Sequence, residues 1–78
     1  PNPNNGTFFI EGKGHNEQEV DMIIINSIGQ RIYRAEVITE NKHFKHKVVL
    51  SAASGGVYIV YMLMDGKYWS LPFTIRRE

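Results

Sequence analysis

The sequence predicts an all-β domain, a small antiparallel sandwich or barrel. Three observations carry that prediction. Apolar residues alternate with period two in about six separate runs. The runs are divided by clusters of Gly, Asn, Asp, Ser and Pro, the residues that build turns. No segment repeats its apolar residues at helical spacing.

The elements follow in order. Pro1-Asn2-Pro3-Asn4-Asn5-Gly6 is turn chemistry, because two prolines fix φ and Asn-Gly readily takes positive φ. A first strand is expected over residues 7–11, and residues 12–19 form a polar loop. The β-branched run 20–26 is too short for a typical helix and reads as the second strand. Residues 27–30 turn the chain, with Gly29 at positive φ. The third strand covers 31–38, and the polar residues 39–43 form a loop. The fourth strand covers 44–50, and small residues 51–56 connect it onward. The fifth, 57–64, is the most apolar. Asp65-Gly66 is the strongest hairpin signal, since a type I′ turn needs positive φ at both central residues. The last strand covers 67–76. Pro72 cannot donate to a ladder, so that strand is an edge or carries a bulge.

Alternation also predicts which side chains point inward. They are Phe8, Ile10, Met22, Ile24, Ile32, Val48, Leu50, Tyr58, Val60, Leu71, Phe73 and Ile75. Tyr58 is expected in the core or at a corner, with its hydroxyl bonded to backbone.

Length and charge exclude several functions. A chain of 78 residues is one domain, 1–78, with a marginal core. The abrupt start at Pro1-Asn2-Pro3 reads as a domain boundary, with any export signal lying upstream. A net charge of +1 is too small for a nucleic-acid footprint or an electrostatic membrane anchor. No apolar stretch approaches the roughly 20 residues of a membrane span. The chain has no cysteine, so there is neither a disulfide nor a thiol nucleophile.

Residue types give no catalytic, cofactor or metal site either. His43 and His46 fall on opposite faces of a strand, which disfavours a shared metal. His46 is expected partly buried, and His15 stands alone in a loop. Ser27, Ser51, Ser54 and Ser70 lack a nucleophile-elbow context. Nothing points to a carboxylate pair for acid–base work. Lys42, Lys45 and Lys47 fit a solvated strand face at this net charge. Gly12-Lys13-Gly14 is too short for a phosphate loop. The expectation is therefore a protein that is recognised and not an enzyme.

Several features form one ordered pattern. Pro1-Asn2-Pro3 and Gly6 precede an apolar strand. Val20-x-Met22-x-Ile24-x-Asn26-x-x-Gly29-x-x-Ile32 follows, then Val48-x-Leu50-Ser51 and Gly56-x-Tyr58-x-Val60. A Gly turn and Phe73-Thr74-Ile75 lead to Arg76-Arg77. Over essentially its whole length the chain resembles the type A C-terminal sorting domains of proteins exported by the type IX secretion system of Bacteroidetes.

That resemblance implies an immunoglobulin-like antiparallel β-sandwich of about seven strands. It implies a secretion signal at the C-terminus of a cargo protein, delivered to the cell surface by way of the periplasm. The implied partners are the N-terminal cargo of the same chain, the outer-membrane translocon and a sortase-like cysteine peptidase that removes the domain. The sorting-motif residues are then Pro1, Asn2, Pro3, Gly6, Asn26, Gly29, Gly56, Tyr58, Arg76 and Arg77. Here Ala53 stands where such domains commonly have leucine, and Pro72 where lysine is common.

The parity opposite the expected core is itself apolar: Phe9, Ile23, Ile25, Ile59, Tyr61 and Leu63. If shared by one sheet, these residues form a docking patch for the cargo domain, the translocon or a second copy in a weak homodimer. The rival function is a carbohydrate-binding or spacer module of a secreted protein. Such a module needs a flat row of aromatics, and Tyr33, Phe44, Tyr68 and Trp69 do not share one parity of one strand.

Overall fold

Six β-branched and aromatic runs form six antiparallel strands in a computed structural model, which describes residues 5–77. Pro1, Asn2 and Pro3 of the expected motif lie outside the described residues. The strands are β1 (Thr7–Lys13), β2 (Glu19–Ile25), β3 (Arg31–Ile38), β4 (His43–Val49), β5 (Gly56–Met64) and β6 (Lys67–Ile75). They make two sheets, a β1-β4 pair and a four-stranded sheet in the order β3-β2-β5-β6.

The two sheets form a sandwich because each strand carries one apolar face. Val20, Met22 and Ile24 of β2 lie opposite Phe8 and Ile10 of β1 and Phe44 and Val48 of β4. Tyr58, Val60, Phe73 and Ile75 complete the core. Phe8 packs on Phe73 with ring centroids 4.8 Å apart, so β1 sits over β6. Tyr33 meets His46 on the other side, so β4 sits beside β3. Burying a side chain such as Met22 or Ile24 completely contributes about 1.5–3 kcal/mol.

Turn chemistry sets the hairpin registers. Asp65 (φ 54°) and Gly66 (φ 72°) make the expected left-handed turn between β5 and β6. Pro72 lies on β6, which is an edge strand as the proline requires.

The structure corrects three expectations. The strand count is six, not about seven, and the second sheet has only two strands. The narrow sheet covers β6 at Phe73 but not at Leu71, which opens onto a cleft beside Phe8 and Ile10 and is 60% exposed although its register partner Val60 is 2% exposed. Ile32 is likewise exposed, not inward. Tyr33, Ala35 and Val37 hold the inward parity of β3, which turns Ile32 outward, and the register slip between Ile24 and Ile25 leaves Ile32 as an extra, unpaired residue. The expected core also omitted Val20, Phe44 and Thr39, all of them buried.

Thr39 is the one buried polar residue among those described, and it locks the loop ends. Its hydroxyl donates to the His15 carbonyl and accepts from the Gln18 amide at 2.9 Å. Its own amide donates to the Gln18 carbonyl at 2.9 Å.

Candidate recognition site

The motif residues within the described chain, far apart in sequence, converge at one end of the sandwich. That pole holds the entry to β1, the β2–β3 turn, the β4–β5 connection and the end of β6. Each is built by a local rule.

Asn26 organises the β2–β3 turn. Its side-chain oxygen accepts from the amides of Ile28 (3.2 Å) and Gln30 (2.9 Å). Its carbonyl accepts from the Gly29 amide at 3.0 Å, and Gly29 sits at φ 83°. Asparagine bonding forward to its own backbone, followed by a residue at positive φ, is what this turn requires. Asn26 and Tyr58 line a shallow cleft together with Tyr33, Leu50, Ala53 and Ser54.

Tyr58 is the corner aromatic. Its ring is buried against Phe73 at 5.7 Å, and its hydroxyl donates to the Ser54 carbonyl at 2.6 Å. The phenol thereby ties β5 to the connection that feeds it.

Gly6 enters where no side chain fits. Its φ is 98°, and an added Cβ would come within 2.9 Å of the Leu50 carbonyl oxygen and 2.7 Å of Arg77 Nη2. Its carbonyl accepts from the Leu50 amide at 2.6 Å, carrying the β1–β4 ladder one step beyond the strands.

Arg77 crosses the same space. Its Nε donates to the Ala53 carbonyl at 3.0 Å and Nη1 to the Asn5 carbonyl at 2.5 Å. Nη2 donates to the carbonyls of Leu50 at 2.7 Å and Ser51 at 3.2 Å. One guanidinium therefore joins the entry to β1, the β4–β5 connection and the chain end. Arg76 is exposed and makes no hydrogen bond or ion pair with any described residue.

Five of the six docking-patch residues share the outer face of the four-stranded sheet. Ile23 pairs with Tyr61, Ile25 with Ile59, and Leu63 lies opposite Asp21. Tyr61 is the most open of them at 38% exposure. Phe9 is not with them: it lies on the outer face of the other sheet, under the Lys45 ammonium at 4.7 Å. Arg34 borders the five-residue face. Hydrogen bonding to Asp21, then the charges of Asp21 and Glu36, raise its pKa above the usual arginine value. Tyr33 and Phe44 point into the core while Tyr68 and Trp69 alternate along β6, so the aromatics form no flat row.

His43 and His46 lie on opposite faces of β4. His46 is half-buried, with Nε2 2.6 Å from the Tyr33 hydroxyl. His43 opens β4 itself, not the loop before it.

Sequence reasoning missed Thr39 and the four-carbonyl clamp of Arg77. The first carried a signal, a threonine directly after a strand, although the polar residues 39–43 read as plain loop. The second carried none beyond an arginine near the end, since its partners are backbone carbonyls from distant segments.

The family described as the secretion system C-terminal sorting domain matches residues 1–74. The match spans Gly6, Asn26, Gly29, Gly56 and Tyr58 and ends before Arg76 and Arg77. Neither the curated proteins nor the solved structures give a match.

Proposed function

Since the chain belongs to the secretion system C-terminal sorting domains, the type IX signals that send an attached N-terminal cargo to the cell surface or beyond, we propose that the folded pole is the part the machinery reads. The observation that carries this reading is convergence. Gly6, the Asn26 and Gly29 turn, Tyr58 and Arg77 come from four places in the sequence and lie at one end. A linear tail would not need a turn asparagine or a buried tyrosine to hold it. The domain does no chemistry in this reading. It is a substrate of export that travels through the periplasm, and a sortase-like peptidase then removes it from its cargo. The outer apolar face around Tyr61 serves as a second contact, toward the cargo or the translocon.

The test is an export assay. The chain is fused behind a signal peptide and a fluorescent reporter in a bacterium carrying the type IX apparatus. It is compared with a version lacking residues 73–78. Export of the full fusion with periplasmic trapping of the truncation supports the reading. Trapping of both, with the domain shown to be folded, rejects it.

A further inference from the structure

Resting on that reading, we propose that Arg77 is the positioning residue of the pole and that Arg76 is the cation it presents. The two arginines are adjacent and identical in charge, yet the structure uses them in opposite ways. Arg77 spends its donors inside the molecule, on the carbonyls of Asn5, Leu50, Ser51 and Ala53. Among the described residues no acidic side chain forms an ion pair with it. Carbonyl oxygens alone hold the guanidinium, so its geometry matters more than its charge.

That geometry is specific to arginine. Four bonds fan from three nitrogens of a rigid planar fork to four acceptors in separate segments. A lysine ammonium is a single nitrogen with three donors and cannot reach all four. The clamp also sits where the chain needs one. Asn5 lies just outside the β1–β4 ladder, whose last step is the Leu50 amide on the Gly6 carbonyl. Among the described residues, Arg77 is what joins the Asn5 carbonyl itself to the β4–β5 connection.

Arg77 is held across the pole, and the adjacent Arg76 is exposed with no partner among the described residues. An exposed cation beside the clamp suits a carboxylate on the recognising partner, because charge-assisted hydrogen bonds are the strong ones. Recognition then depends on the charge at 76 and on the shape of the group at 77.

Charge-conserving substitutions separate the two roles. In the reporter fusion, Arg76→Lys keeps export while Arg76→Ala lowers it about tenfold or more, the size of one lost charge-assisted contact. Arg77→Lys fails like Arg77→Ala despite its charge. Amide exchange on the purified chain supplies the readout that sheer loss of folding does not mimic. Arg77→Lys raises exchange at the Leu50 and Ala53 amides about tenfold or more, and leaves Met22 and Val60 protected, as expected of local opening. Arg76 variants change neither. Export of Arg77→Lys at the parent level overturns the positioning role, as does its trapping with Leu50 and Ala53 still protected. Export of Arg76→Ala at the parent level overturns the presenting role. Trapping of the parent fusion strikes the sorting reading itself, which keeps the two failures distinct.

Discussion

Tyr58→Phe removes one oxygen and leaves the packing of the ring on Phe73 intact. The lost interaction is the 2.6 Å bond to the Ser54 carbonyl. Ser54 is exposed, so water can replace the phenol and no buried carbonyl is left unpaired. The cost is then the net value of one hydrogen bond, about 1 kcal/mol. With a urea m-value of about 1.5 kcal/mol/M for a domain of this size, the unfolding midpoint falls by about 0.7 M. Trp69, the single tryptophan and 42% exposed on β6, reports the transition by fluorescence. Export of the reporter fusion stays at the parent level, because only 6% of Tyr58 is open to a partner. An unshifted midpoint would refute the corner assignment. A normal midpoint with abolished export would show instead that the hydroxyl is read directly.

Other substitutions test the remaining parts. Thr39→Val keeps the volume but strands the half-buried Gln18 amide. It lowers stability by about 1–3 kcal/mol in urea titration, with exchange protection lost at Gln18. Leu71→Ser changes stability by no more than about 0.5 kcal/mol although the residue has core parity, and a loss above about 2 kcal/mol would mean that Leu71 is covered in solution. Gly12→Ala places a Cβ 2.5 Å from the Phe44 ring, so that ring must shift. The expected cost is about 1–3 kcal/mol, with altered Phe44 ring signals in NMR spectra.

Much of this architecture is written locally. Period-two runs located all six strands, and Asp65-Gly66 located the last hairpin. Gly29 and Tyr58 were legible because a positive φ and a buried phenol each have a chemical signature. The misses share one cause, which is dependence on what lies across the sandwich. Leu71 has the parity of a core residue, but burial needs a facing strand, and the second sheet covers β6 at Phe73 but not at Leu71. Ile32 faces outward because Tyr33, Ala35 and Val37 set the inward parity of β3, and which parity of that polar strand faces the core depends on its partner β2. Arg77 was legible as a motif residue but its clamp was not, because its partners are carbonyls, and every residue has one. The patch on the outer sheet face was legible for β2 and β5, which are neighbours in the ladder. Phe9 was misgrouped because parity says nothing about which sheet a strand joins.

The pairing of β1 with β4 sets the order in which the molecule assembles. Thr7 meets Val49 and Lys13 meets His43 across the whole of β2 and β3. The β2–β3 and β5–β6 hairpins need only short loops and close in about 1–10 μs. Non-local strand pairs wait on loop-closure entropy, and domains dominated by them fold in about milliseconds to seconds. The two hairpins therefore form early, while the β2–β5 pairing that joins them waits on loop closure as β1–β4 does. The pole exists only after β1 docks and the chain end follows. A folding chain thus passes through a stage that already has hairpins but as yet no address.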